Sequence, residues 1–261
     1  NTTGANNTAV GHAPLFDNTT GGNNTALGYL ALGDNTTASN NVAVGYEALR
    51  KNTTGTQNVA VGATSLDANT TGSNNVAVGE NALSGNTTAG DNTAVGDDAL
   101  RVNTTGANNT AVGSLALDAN TTASNNTAVG FASLGANTTG QLNTAFGVNA
   151  LTTCTTGNYN TAMGRHALYA NTTGNYNTAY GIDAGAVNTT GEFNLTLGTD
   201  AGLSNSPSGS ITTASNRICL GANTITNAYI KVDWTVTSDK RDKTDIEPLT
   251  IGLNFVNKLE P

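Results

Sequence analysis

The sequence predicts an all-β protein, a parallel β-solenoid (β-roll) whose coils are 17 residues long. The first indication is its repetition: twelve units follow one another without insertion over residues 1–204, starting at residues 1, 18, 35, 52, 69, 86, 103, 120, 137, 154, 171 and 188. The second is that the seventh residue of every unit is Asn and the eleventh is Gly. A period of 17 is too short for a helix pair or a propeller blade. It suits one coil made of two short strands and two tight turns.

Each unit contains a short segment of the type NTAVG or NVAVG, which predicts a strand over its eighth to tenth residues. Asn before the strand suits a turn, and identical Asn side chains about 4.8 Å apart can form a hydrogen-bonded ladder from coil to coil. Gly after the strand indicates a positive φ or a close backbone approach. The ladder positions include Asn7, Asn24, Asn41, Asn58, Asn75, Gly11, Gly28 and Gly45.

The expected core consists of Val10, Leu15 and their equivalents in the other coils. Alternation along the strand sends the eighth and tenth side chains to one face and the ninth, almost always Ala, to the other. The small residue indicates that something approaches that second face closely. The invariant Thr-Thr at the second and third positions is expected in a second, shallower strand or in a bend.

Composition and charge exclude several classes of function. Aromatic residues make up 5% of the chain, charged residues 11%, and the net charge is −8. Residues 1–204 carry no basic stripe that could neutralise phosphates, so nucleic-acid binding is not expected. No apolar run is long enough to predict a membrane span. The sequence starts at Asn1 in phase with its repeat, which we interpret as a processed or partial chain.

The two cysteines, Cys154 and Cys219, do not suggest a disulfide framework or a metal cluster. They lie about three coils, or roughly 14 Å, apart along the predicted solenoid. That separation is too long for a disulfide within one chain. We expect two unpaired, buried residues, with stacking of Cys154 between chains as the alternative. No cofactor and no metal are expected.

Eleven units begin with Asn-Thr-Thr, which is formally an acceptor sequence for N-glycosylation. The side chains can equally stack as a turn ladder, and crowding at about 4.8 Å argues against full occupancy by glycans. Both interpretations stay open on sequence alone. The residues are Asn1, Asn18, Asn35, Asn52, Asn69, Asn86, Asn103, Asn120, Asn137, Asn171 and Asn188.

Units nine to twelve depart from the others at two positions. The sixth residue, polar in the first eight units, becomes Leu, Tyr, Tyr and Phe, and the tenth becomes Phe, Met and Tyr in units nine to eleven. We expect a wider core near this end of the repeat, and the alternative is a surface stripe of aromatic rings that binds sugar. His12 and His166 are expected to be isolated surface residues.

Residues 205–237 are expected to hold a linker or capping loop, a degenerate last coil and a strand. The stretch NSPSGSITTASN interrupts the period with Pro, Gly and Ser. The following SNRICLGANTI repeats the strand and Gly pattern, and AYIKVDWTV alternates as a strand does.

The NNVAVG, QNVAVG and NNTAVG segments resemble the repeat in the head domain of trimeric autotransporter adhesins. That resemblance implies a left-handed parallel β-roll in which three chains surround one axis. A physical argument also favours a trimer, because Ala faces packed around a threefold axis would enlarge a thin core. A monomeric solenoid is the alternative.

The segment TSDKRDKTDIEPLTIGLNFVNKLEP resembles the start of the C-terminal intramolecular chaperone domain of endosialidase-type phage tailspikes and fibres. The resemblance implies that residues 238–261 are the beginning of a trimerising, self-cleaving domain. It places cleavage before Ser238, with Ser238 as nucleophile and Lys243 as base. A lysine can serve in this way when desolvation lowers its pKa.

Together these features predict the structural shaft of an extracellular or virion tail fibre, homotrimeric and without enzymatic turnover beyond one self-cleavage. Such a shaft holds an attachment surface away from its particle. The first alternative is an adhesin whose repeats bind a host glycan, receptor or matrix. The second is an ice-binding solenoid, for which the Thr pattern is a poor match.

Overall fold

The computed structural model describes residues 1–226, and these form one sheet of thirteen parallel strands. Each strand pairs in register with the next, so that every residue lies beside its equivalent one coil along. We call the unit that contains strand βn coil n. The predicted all-β parallel solenoid with 17-residue coils is confirmed. The strands are β1 Thr8–Val10, β2 Thr25–Leu27, β3 Val42–Val44, β4 Val59–Val61, β5 Val76–Val78, β6 Thr93–Val95, β7 Thr110–Val112, β8 Thr127–Val129, β9 Thr144–Phe146, β10 Thr161–Met163, β11 Thr178–Tyr180, β12 Leu195–Leu197 and β13 Ile218–Leu220.

Among residues 1–226 each coil contains one strand, so the expectation of a second strand was wrong. The invariant Thr-Thr pair lies in a bend instead. Left-handed backbone at three further positions shapes the rest of the coil. In coil 5 these are Asn74, Asn81 and Leu83, with φ of 61°, 53° and 55°. Repeated left-handed residues reverse the chain direction too often for a second strand to extend.

The core consists of the ninth, fourteenth and fifteenth residues of the coils. In coil 5, Ala77, Ala82 and Leu83 are all 0% exposed. The prediction was right for Leu15 and its Leu equivalents but wrong for Val10 and its equivalents, because the tenth-position Val of strands β3 to β8 stays partly exposed beside a fully buried Ala. Only the middle residue of a three-residue strand points inward, and the narrow coil has room there for a small residue, Ala in coils 2 to 11, Thr196 in coil 12 and Cys219 in coil 13. The Ala face is therefore filled by the chain's own coil and does not face a threefold axis.

The Asn at the seventh position connects each coil to the next. The backbone N–H of Asn75 donates to Oδ1 of Asn58 at 3.0 Å. Nδ2 of Asn58 donates to the carbonyl of Gly72 at 2.8 Å. One buried amide thus forms hydrogen bonds with two backbone groups of the following coil, where buried polar groups need partners.

The Asn at the first position forms a second ladder. Nδ2 of Asn69 donates to Oδ1 of Asn52 at 2.9 Å and to the carbonyl of Gly72 at 2.9 Å. Gly72 therefore accepts from both ladders, and the fourth residue of the coil is the point at which they meet. The second-position Thr adds a further bond, since Oγ1 of Thr53 donates to the carbonyl of Thr70 at 3.0 Å.

The Gly at the eleventh position is required by both reasons inferred from the sequence. Gly96 has a φ of 138°, a region that side chains rarely adopt. A Cβ added to it would lie 2.6 Å from the carbonyl carbon of Gly113 in the next coil. The backbone turns of neighbouring coils are in direct contact there.

Coil 13 follows after a longer connection, because 23 residues separate the paired Thr189 and Thr212. Its strand β13 still pairs with β12 in register, so the degenerate last coil continues the solenoid. In the core near this connection, a smaller residue at one position is compensated by larger side chains at neighbouring positions. Gly202 replaces the core Leu of coil 12, and the space is taken by Ile211 and Thr196, whose side chains lie 3.0 and 3.1 Å from the site of its missing Cβ.

Cys154 and Cys219 are both free and buried, as expected. Cys154 stands in the first-position ladder, and burial raises the pKa of its thiol to about 11. A thiol cannot take the place of an amide donor, and Oδ1 of Asn137 in the preceding coil is buried without a hydrogen-bond partner. The ladder is interrupted at this point.

We predict that Cys154→Asn stabilises the protein. The new Nδ2 would donate to Asn137 Oδ1 and remove an unsatisfied buried acceptor, a gain of about 1 to 3 kcal/mol. Urea unfolding followed by circular dichroism measures it. Cys219→Ala is the control, because it restores the usual residue at a position outside the ladder and should bring no comparable gain. An unchanged or lower unfolding midpoint for Cys154→Asn would contradict the prediction.

Candidate functional site: an uncharged strand face with an aromatic end

The outward face of the sheet runs along the whole solenoid and carries no charge. Its eighth-position residues are Thr, Val, Leu or Ile, and its tenth-position residues are Val, Leu, Phe, Met or Tyr. We call these two columns the strand face. The charged side chains of residues 1–226 occupy other positions of the coils. The side chains of the strand face are partly buried in coils 3 to 7 and more exposed toward both ends of the stack. A monomer with thirteen rows of such apolar and β-branched side chains presents an extended surface of the kind that proteins use for association.

The strand face changes in coils 9 to 11, where its tenth-position residues become large. Phe146 and Tyr180 are 54% and 56% exposed, and Met163 lies between them. These three side chains and Ile182 line an apolar groove of about 430 Å³. Its floor is formed by Gly147, Gly164 and Gly181, which cannot fill it. We call this depression the apolar groove.

A second feature lies in coils 9 to 12, two residues before the start of each strand. Leu142, Tyr159, Tyr176 and Phe193 occupy the sixth position and are about half exposed. The ring centroids of Tyr159 and Tyr176 are 4.8 Å apart, as are those of Tyr176 and Phe193, and both pairs are nearly parallel. We call these four side chains the ring column. The expectation of a wider core is wrong, because these side chains lie on the surface.

The geometry of the ring column bears on the sugar-binding alternative. A sugar that stacks on an aromatic residue needs an open ring face. Both faces of Tyr176 are covered by its neighbours, so that the inner part of the column offers ring edges only. Ring edges carry partial positive charge and pack well against other apolar groups. The arrangement suits protein packing better than glycan stacking.

The backbone at the sixth position adds a constraint that the sequence did not reveal. Every residue there has left-handed backbone, with φ of 58° for Leu142 and 56° for Tyr159, Tyr176 and Phe193. Asn, Asp and Gln occupy this position in coils 1 to 8. Asn and Asp tolerate this conformation, whereas for a bulky side chain it is uncommon and costly. The four large residues are placed there against local preference.

The first-position Asn residues are not displayed on the surface. Apart from Asn1 at the end of the stack, all ten other acceptors are buried, from Asn18 to Asn188. Their Nδ2 atoms, which a glycan would occupy, donate hydrogen bonds such as that of Asn69 to Asn52. This placement favours the ladder interpretation over the glycan interpretation. Ser238 and Lys243 lie outside the described residues.

The two histidines differ from each other. His12 is exposed and stacks on Tyr29 with ring centroids 5.2 Å apart. His166 is half-buried, since its Nδ1 lies 3.1 Å from Oδ1 of Asp183 and its Nε2 lies 3.3 Å from Nδ2 of Asn149. The expectation of an isolated residue is therefore wrong for both, although His12 does lie on the surface.

Other depressions and charged groups in residues 1–226 offer little chemistry. A polar depression of about 510 Å³ surrounds Arg101, whose guanidinium is paired with Asp98 at 3.7 Å and Asp118 at 4.0 Å. Within these residues no group of three or more His, Cys, Asp or Glu side chains is arranged to hold a metal ion. The same part of the chain contains no helix able to cross a bilayer.

Comparisons of the chain with protein-family models, curated protein sequences and solved structures give no match. The strand face, the apolar groove and the ring column are therefore the features from which function has to be inferred.

The ladder and glycan interpretations predict different results for Asn69→Ala in protein made in bacteria without glycosylation. We expect a loss of about 1 to 3 kcal/mol in unfolding free energy, because Asn52 Oδ1 loses its donor and Asn86 Nδ2 loses one of its two acceptors. Thr71→Ala is the matched control, because it destroys the same acceptor sequence at an exposed side chain and leaves the ladder intact. Equal stability of the two variants would contradict the ladder role.

Proposed function

We propose that this chain is the structural shaft of an extracellular or virion tail fibre and works as a homotrimer. Its role is mechanical: it holds an attachment or partner surface away from the particle or cell that carries it. The resemblance of residues 238–261 to a tailspike chaperone domain supports assisted trimerisation, with self-cleavage before Ser238 as its accompanying reaction.

The observation that carries this proposal is the unbroken register of thirteen parallel strands. Twelve steps of about 4.8 Å give a stack roughly 58 Å long from β1 to β13. The repeated coils are only 17 residues around, and coils 2 to 10 each have a core of two small residues and one Leu. Such a stack gains length with each repeat while its cross-section stays constant, which is the geometry of a shaft.

The strand face supports the homotrimer. It is uncharged over the full length, and its tenth-position column is aliphatic or aromatic in every coil. Three copies around one axis would remove these columns from water together. The predicted threefold packing of Ala residues is replaced by packing of the eighth- and tenth-position side chains, because Ala is already buried inside each coil.

The alternatives receive less support. The ring of Tyr176 has both faces covered by its neighbours, which disfavours direct glycan binding by the inner part of the ring column. Second-position Thr hydroxyls such as Thr53 Oγ1 donate to backbone carbonyls. Their protons are thus used within the stack and cannot be donated to water, which disfavours an ice-binding surface formed by this column.

The test is native mass spectrometry and analytical ultracentrifugation of the full chain, whose mass is 26.2 kDa. We expect a particle of three chains with the frictional ratio of a rod. The double variant Val61→Asp/Val95→Asp places charges on the strand face and should raise the dissociation constant of the trimer by at least about tenfold. The matched control, Thr54→Asp/Thr88→Asp, places the same charges on the exposed bends of the same coils. A wild-type monomer would overturn the proposal.

A further inference from the structure

The ring column and the apolar groove occur in the same coils, and they change together along the chain. In coils 1 to 8 the sixth residue is Asn, Gln or Asp, and the tenth is Val or Leu. In coils 9 to 12 the sixth residue is Leu, Tyr, Tyr and Phe, and the tenth is Phe, Met, Tyr and Leu. The sixth position thus changes from polar to large and apolar in coils 9 to 12, and the tenth, apolar throughout, becomes larger in three of them, coils 9 to 11. Two positions that change in overlapping coils are expected to serve one contact.

Within one chain this contact is not made. Tyr176 stacks along the column on Tyr159 and Phe193. Tyr176 and Tyr180 lie at opposite ends of β11 and are 48% and 56% exposed. The surface that each leaves to solvent is available to another molecule.

The left-handed backbone of the ring column strengthens this reasoning. A Tyr or Phe at φ of 56° costs free energy that Asn at the same position largely avoids. Ring stacking along the column offsets part of that cost. The remaining cost is offset only when another molecule covers the half-exposed ring edges and removes them from water.

We propose that the ring column of one copy packs into the apolar groove of the next copy around the threefold axis. The inference deepens the proposed function and rests on the homotrimer. In a threefold ring each interface is heterologous, so that one patch of a copy meets a different patch of its neighbour. The two patches must then lie at the same height along the axis, and both lie in coils 9 to 12.

The contact fits chemically. Stacked rings present their edges, and the groove offers the rings of Phe146 and Tyr180, the Met163 side chain and Ile182 over a glycine floor. Edge-to-face aromatic pairs and sulfur–aromatic contacts are favourable in such a setting. No charged side chain lines the groove, so an apolar partner meets no desolvation penalty from an ion there.

The first experiment is disulfide trapping in the full chain with the background Cys154→Asn/Cys219→Ala. Tyr176→Cys is combined with Met163→Cys in one variant and with Tyr180→Cys in another, to cover the two nearest rows of the groove. After mild oxidation we expect covalent dimers and trimers on a denaturing, non-reducing gel from at least one double variant. The single variants should stay monomeric on that gel, because position 176 of one copy does not meet position 176 of another.

The second experiment is a double-mutant cycle on the dissociation constant of the trimer. Tyr176→Asn and Tyr180→Val restore the residues found in most of coils 1 to 8. We expect each to raise the dissociation constant at least about tenfold, and the two together to raise it less than the product of the single effects. The control is Tyr169→Ala, an exposed aromatic residue outside both features, which should leave the constant unchanged.

The outcomes separate this inference from the proposed function. A wild-type trimer with no trapped species in either pair and additive effects in the cycle would overturn the contact but leave the shaft standing. Trapped dimers from Tyr176→Cys alone would overturn the heterologous arrangement, because they require ring columns that meet each other. A wild-type monomer would overturn both.

Discussion

The structure depends on the in-register stacking of polar groups from one coil to the next. The two Asn ladders place a buried amide at the same height in nearly every coil, and each amide finds its partners only if the neighbouring coil is in register. An unsatisfied buried amide is costly, whereas a satisfied one contributes modestly. The ladders thus act mainly by penalising every other alignment of the coils. The core, two small residues and one Leu per coil, is too thin to specify the register by itself.

The same constraint explains which substitutions the coils tolerate. The eleventh position of the coil admits only Gly, because the backbones of adjacent turns are in contact there. The core tolerates exchange of volume between layers, as in coils 11 and 12, where Gly185 and Gly202 compensate for Thr196 and Ile211. The ladder tolerates Arg217 at the seventh position of coil 13, because its backbone N–H still donates to Asn194 Oδ1 at 3.0 Å. At each coil the stack requires a hydrogen-bond donor in the ladder and enough side-chain volume in the core. Different residues can supply either one.

The sequence was sufficient to predict the period, the strand, the eleventh-position Gly and the place of Leu15, because a repeat reports which positions are invariant. It was not sufficient to decide the direction of the strand's side chains. The tenth-position Val is larger than the ninth-position Ala and is therefore expected in the core, but the narrow coil buries the Ala instead, from Ala26 onward. The sixth position shows what was missed. Its Asn, Asp and Gln in coils 1 to 8 were a signal for left-handed backbone, and that signal would have shown the later Tyr and Phe residues to be unusual.

A uniform strand face has a weakness as an assembly surface. Its rows repeat every coil, so that a second copy shifted by about 4.8 Å along the axis would meet nearly the same side chains. Periodic surfaces of this kind specify alignment poorly, just as strands with featureless faces are prone to slip in register. Coils 9 to 12 are the stretch in which the face is not periodic, since large residues replace small ones on both sides of the strand. A contact confined to those coils would be lost by a shift of a few rows, whereas the contacts of coils 1 to 8 would largely survive it. The aromatic end is therefore suited to set the axial alignment of the chains. Once coils 9 to 12 are aligned, the regular coils of the three copies lie side by side in the same alignment.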